Sequence, residues 1–224
     1  MSAREEILGR VRANLTELRA RTPAPVADRT PFARFGTGLE GEHAKLDHFQ
    51  ATLEGVGGQC ARVADEAAAA AHVRGWLQER GAQTLAVCDG ALAARVADAV
   101  VEGGALELVS PGAERETLLT VDAGLTGARL GIAETGTLAL ASTDERSRLT
   151  SLLPPLAIAI LSRDQLVATL EDAMTALRPD APESNARAIT FVTGPSRTAD
   201  IEMTLVVGVH GPKELLVVVL DPDS

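Results

Sequence analysis

The stretch QCARVADEAAAAAHVRGWLQERGAQTLAVCDGALAARVADAV, Gln59 to Val100, decides the fold. CARVA is a short β-rich run, followed by a helical segment that Asp65 opens and Gly81 closes. TLAVC is a second such run, followed by a helix that Asp89 is placed to cap, with Leu92, Val96 and Val100 on one face. Strands separated by helices of this length run parallel, because the chain must cross back over the sheet before it pairs again.

The pattern continues to the C-terminal end. ALELVS reads as a strand, a helical segment follows Pro111, and two short apolar runs, RLGIA and TLALAS, flank a turn at Glu134-Thr135-Gly136. LAIAIL is a strand apolar on both faces. Ser162 with Gln165 forms a capping box that predicts a helix carrying Leu166, Val167, Leu170, Met174 and Leu177. The run from Ile189 passes through Gly194-Pro195-Ser196 into a predicted helix from near Thr198 to Gly208, and the chain closes on ELLVVVL. The expected class is α/β, a mainly parallel sheet with helices on both faces.

Ahead of this core, Ser2 and Glu5 form a capping box and Ile7, Leu8, Val11, Leu15 and Leu18 recur at helical spacing. A proline-bearing linker and a second helix over residues 40–54, ended by Gly57-Gly58, complete an N-terminal helical extension. The expected division is residues 1–58 for the extension and linker and 59–224 for the α/β domain. A chain of 224 residues buries roughly 70% of its unfolded surface and needs no disulfide or metal to fold.

Composition excludes several functions. A net charge of −10 opposes binding to a phosphate backbone, and four Phe, one Trp and no Tyr leave few platforms on which bases could stack. No apolar run reaches membrane-span length and MSAREEILGR has no signal-peptide core, so a cytoplasmic protein is expected. Two cysteines, Cys60 and Cys88, cannot supply four ligands to an iron–sulfur cluster. Gly36-Thr37-Gly38-Leu39-Glu40-Gly41 fits a dinucleotide fingerprint, but a linker precedes it where a strand is required. Neither a phosphate-binding P-loop nor a G-x-S-x-G elbow occurs, and His43, His48, His72 and His210 show no metal-ligand spacing.

Two stretches can carry chemistry. In VTGPSRTADIE, Gly194 permits close backbone approach, Ser196 and Thr198 can cap or donate to a ligand, and Arg197 suits a carboxylate or phosphate. Asp200 would oppose a dianion there, or would orient Arg197; the same residues also suit a well-capped connection with no ligand. His210, between glycines, can reach a ligand or bond a carbonyl. In GIAETGTLALAS, Glu134 stands alone between apolar runs, before Thr135, Gly136 and Thr137. It fits a nucleophile, a general base or a hydroxyl ligand, and equally a carboxylate that accepts bonds from its own turn.

GIAETGTLAL followed by TGPSRTADIEMTLVVGVHGPKELLVVVL resembles the lactate utilization protein C family of LUD-domain proteins, and the likeness extends from about Asp122 through SLLPP at 151–155 to the end. The resemblance implies a fold like that of the sugar-phosphate isomerases and CoA transferases (NagB/RpiA/CoA-transferase-like). It also implies a part in oxidising L-lactate to pyruvate beside separate iron–sulfur subunits. No cofactor is expected in this chain; the clusters would lie on those partners, and a small carboxylate or other anion would be the ligand. The related CoA transferases use a glutamate near a glycine turn, which Glu134-Thr135-Gly136 loosely matches. Two alternatives stand beside this one: an enzyme acting on an acyl-CoA or phosphorylated small molecule, and a non-catalytic adaptor.

Overall fold

The structure, a computed structural model, describes residues 4–10, 12, 39–88, 90–102, 104, 106–109, 113, 115–142, 145–177, 188–198, 206–207 and 211–224. The chain divides into two compact units, Met1–Gly36 and Thr37–Ser224. In the first, residues 4–10 form helix α1, with Ile7 and Leu8 exposed. The Ser2 cap, Val11, Leu15 and Leu18 lie outside the described residues.

The larger unit runs α2 (Glu42–Gly55), β1 (Gln59–Val63), α3 (Glu66–Glu79), β2 (Thr84–Val87), α4 (Ala91–Val101), β3 (Glu107–Val109) and α5 (Arg115–Leu118). It continues with β4 (Ala123–Gly127), the hairpin strands β5 (Leu130–Ile132) and β6 (Thr137–Ser142), α6 (Glu145–Leu152) and β7 (Leu156–Ser162). A 3₁₀ turn at Arg163–Gln165 then leads to β8 (Leu166–Val167), α7 (Leu170–Ala176), β9 (Ala188–Val192), β10 (Arg197–Thr198), β11 (Val206–Val207) and β12 (Glu214–Leu220).

Six strands form one wholly parallel sheet in the order β1-β12-β7-β4-β2-β3. Its centre is β7 and β12, each with five consecutive buried residues. Because side chains alternate faces along a strand, those runs feed two cores. Ile158, Ile160, Leu216 and Val218 pack under α3 and α4 with Val73, Leu77, Val96 and Ala97. Ala157, Ala159, Leu161, Leu215, Val217 and Val219 face the other way, against Leu46, Phe49 and Leu53 of α2 and Leu138 and Leu140 of β6. At the β2–β3 end, Ala86 and Val109 meet Leu118 of α5, with Leu149 of α6 packed alongside.

The second face therefore carries helices, as expected, and also a second sheet of order β8-β5-β6-β9, in which β5–β6 and β6–β9 are antiparallel. Helix α2, assigned from sequence to the N-terminal extension, is integral to the larger unit: Leu46, Phe49 and Leu53 are fully buried.

Two predicted helices are corrected. The Ser162–Gln165 capping box is present but opens only the 3₁₀ turn. Leu166 and Val167 then pair with Gly131 and Ile132, and a new capping box, Thr169 with Asp172, starts α7. Pairing with β5 outweighs helical spacing here, because it supplies backbone partners that the local pattern cannot anticipate. Likewise Arg197 and Thr198 are not a helix start: they pair antiparallel with Val207 and Val206. For α3 the reading holds, since the Asp65 carboxylate accepts from the Ala68 amide at 2.8 Å. The N-cap of α4 is Gly90; Asp89, the expected cap, lies outside the described residues.

Asp122, just ahead of β4, joins β2 to β4 at their starts. Its carboxylate accepts from the amides of Gln83 (2.9 Å) and Thr84 (3.0 Å) and from the Thr84 hydroxyl (2.8 Å). Partial burial pushes its pKa up, but these hydrogen bonds from Gln83 and Thr84 outweigh burial and hold it below the usual aspartate value. A folded pKa below the unfolded one stabilises above about pH 4 and ceases to do so as pH falls through the folded value. Asp122→Ala should cost about 1–2 kcal/mol in urea unfolding at pH 7, and that penalty should shrink below pH 4. An equal penalty at both pH values would refute this account.

Candidate functional site

The two glycine corners marked by the sequence do meet, on the last turn of α2. Gly136 (φ 63°) and Gly194 (φ 78°) both hold the left-handed backbone that favours glycine. A Cβ on Gly136 would overlap the backbone of Thr52 and Leu53, and one on Gly194 would lie 2.7 Å from the Val56 carbonyl. Hydroxyls link the corners: Thr135 bonds Thr137 at 2.7 Å, and Thr137 bonds Thr193 at 2.7 Å. Thr52 adds a bond to the Ala133 carbonyl at 2.9 Å.

What lies between the corners is the carbonyl end of a helix. The Arg197 guanidinium donates to the Val56 carbonyl, the position at which a cation best complements the helix dipole. The Ser196 amide donates to the Pro212 carbonyl at 2.9 Å. Glu134 points to another element: it is exposed, and its carboxylate accepts from the Leu170 amide at 3.3 Å, at the start of α7. Thr198 sits in β10; Asp200 and His210 lie outside the described residues. The corner has the chemistry of a joint, with carbonyls where an anion needs donors.

A different cleft lies at the carboxyl edge of the parallel sheet. β2 leads through α4 outward to β3, while β4, its neighbour on the other side, leads on to β7. Connections that diverge from adjacent parallel strands leave a crevice at the strands' carboxyl ends, where α/β proteins hold ligands. Here the crevice is a cavity of about 280 Å³, lined by the start of α4 (Gly90–Ala93), Gly127 at the end of β4, Ala128 and Arg129 just beyond it, Ala141, Ile160 and Gln165. The first-turn amides of a helix have no acceptors within it, and the first bond of that kind at α4 is Ala94 to Gly90 at 3.0 Å. Among the described residues of the lining, Arg129 is the charged one, and it is exposed. Leu92, Ile160 and the alanines give it an apolar wall. Amides, a guanidinium and an apolar wall together suit a small organic anion.

Sequence reading missed this cleft because its residues belong to no contiguous motif. The available signal was a glycine just beyond two strand-like runs, Gly90 after TLAVC and Gly127 within DAGLTGAR. Elsewhere, His43 meets Asp221 and Asp223, with ligand atoms within 4.8 Å of one another, but Arg163 pairs with both carboxylates. Burial pushes the Cys60 thiol up to about 12, with Arg62 opposing and Glu54 adding to the rise, so it is a packing residue and not a nucleophile.

Comparison with known proteins agrees with this architecture. The sequence model of the LUD domain matches residues 46–220. Among curated proteins, an uncharacterized protein of Neisseria meningitidis is 35% identical over 132 residues, 58% of this chain and 55% of that one. Lactate utilization protein C of Shouchella clausii is 43% identical over 101 residues, 45% of this chain and 44% of that one. Its namesake from Deinococcus radiodurans is 40% identical over 100 residues, 44% of this chain and 46% of that one. The chain spans about half the length of the curated relatives it matches. A crystal structure of a DUF162 family protein from Deinococcus radiodurans superposes with a TM-score of 0.56 at 24% identity, covering 80% of this chain and 98% of that one, which shows a shared fold.

Two outcomes follow from the packing. Gly136→Ala should lower stability by about 3 kcal/mol, from left-handed strain and overpacking together, read as a drop in the urea midpoint. Cys60 should resist alkylation by iodoacetamide at pH 8 in the folded protein and react once the protein is unfolded; modification at equal rates in both states would contradict its assigned pKa.

Proposed function

Because the chain belongs to the LUD-domain family, we propose that it is a small-carboxylate-binding subunit of an L-lactate utilization system, acting beside separate proteins that carry iron–sulfur clusters. Several curated relatives are named lactate utilization protein C. Two cysteines are too few for this chain to ligate a four-cysteine cluster, so electrons from lactate pass through the partners. The observation that carries the reading is the cleft at the β2–β4 edge, where Arg129 and the first turn of α4 line one cavity with an apolar wall. A carboxylate held there takes hydrogen bonds from amides and guanidinium, while Leu92 and Ile160 receive the carbon end. On this reading Arg197 secures the joint around α2, Glu134 caps the start of α7, and neither touches the ligand.

Titration calorimetry with L-lactate and pyruvate tests the binding step. Arg129→Ala should weaken the bound acid about 10- to 100-fold, the worth of a charge-assisted hydrogen bond. Arg197→Ala should leave affinity unchanged and cost about 1 kcal/mol of stability through loss of its bond to Val56. The reverse pattern would move the site to the glycine corners. For the system, co-expression with the genomic neighbours should give lactate-dependent dye reduction that falls when this chain is omitted; undiminished reduction would overturn the proposed role.

A further inference from the structure

Gln165 lines the same cleft, yet its amide group is fully engaged within the protein. Its Oε1 accepts from the Ser162 amide at 2.8 Å, and its Nε2 donates to the carbonyls of Ala128 (2.9 Å) and Arg129 (3.1 Å). One side chain thus ties the end of β7 to the short connection between β4 and β5 that bears Arg129. The turn carrying Gln165 is fixed in its own right. Arg163, two residues earlier, pairs with Asp221, with Asp223 at 2.6 Å and with Glu42 at 3.1 Å. The Ala128 amide donates to Ile160 at 2.9 Å and the Arg129 amide to Ala139 at 2.9 Å, so the connection is held from both sides.

We infer that Gln165 is a positioning residue for anion binding: it sets the backbone of Arg129 at the rim of the cleft, and so governs affinity without touching the ligand. This rests on the reading of the cleft given above. Capping alone does not explain the choice of residue. Glutamate would accept equally well from Ser162, but it has no hydrogen for the two carbonyls and would repel them. Glutamine serves both tasks.

The experiment is a double-mutant cycle, with L-lactate and pyruvate as probes in calorimetry, on the full chain. Gln165→Glu keeps the acceptor for Ser162 and removes the donor; Gln165→Ala removes both. Each should lower affinity about tenfold, and neither should add appreciably to the loss in Arg129→Ala, because both act through that guanidinium. Hydrogen exchange should rise at residues 128–130 in both variants, and at least as much in Gln165→Glu, whose carboxylate repels the two carbonyls, as in Gln165→Ala. Wild-type affinity in Gln165→Glu, or losses that add fully to those of Arg129→Ala, would overturn the inference while leaving the cleft in place. Failure of the wild-type protein to bind either acid would instead remove the reading on which it rests.

Discussion

The structure depends on two strands that are apolar on both faces. β7 and β12 lie side by side at the centre of the parallel sheet, with Ala157, Ile158, Ala159, Ile160 and Leu161 beside Leu215 through Val219, all buried. Such a pair is stable only when both faces are covered, at roughly 25 cal/mol per Å² of apolar surface removed from water. On one side α3 and α4 suffice. On the other, α2 and the β5–β6 hairpin complete the cover. That second requirement explains why α2 is bolted so firmly: Thr52 to Ala133, Lys45 to Leu166, Arg197 to Val56, with Gly136 and Gly194 giving the space.

The first face was legible in the sequence. CARVA, TLAVC, LAIAIL and ELLVVVL are strands, Asp65 caps α3 through its side chain, and the parallel class follows from their alternation with helices. Less legible was how the chain covers the second face. Leu166, Val167 and Leu170 sit at helical spacing behind a genuine capping box, yet β5 offers an open edge, and the box yields one turn before the chain extends. In the same way Gly194-Pro195-Ser196 gives a turn, but the residues after it pair with Val206 and Val207. In both places the deciding partner is remote in sequence, and local propensity carries no information about it.

The candidate site shows the same division at finer scale. Sequence reasoning found residues that belong together: Thr137 does reach Thr193, and both corners close on α2. Its chemical inference depended on a helix N-terminus after Gly194, and the structure puts a helix C-terminus there instead. That reversal exchanges donors for acceptors, and the Arg197 guanidinium donates to the carbonyl at the end of α2. The cleft at β2 and β4 could not be read from spacing, because it exists only once the order β12-β7-β4-β2-β3 is known. Gly90, Arg129 and Gln165 then converge from three separate segments.

The two arginines illustrate how placement assigns a role. Arg197 sits at the carbonyl end of α2, where its charge answers the dipole and its hydrogen bond satisfies an orphan acceptor. Arg129 shares a cleft with the amide end of α4, where a cation gains nothing from the helix and an anion would gain from both. In a chain of net charge −10, a cavity built from a helix N-terminus and an arginine runs against the overall field. Long-range steering therefore works against an incoming anion, so on the reading proposed above its retention would rest on short-range hydrogen bonds inside the cleft. Such bonds depend on donor geometry far more steeply than on charge. The backbone that carries Arg129 is held on three sides, by Ile160, Ala139 and Gln165.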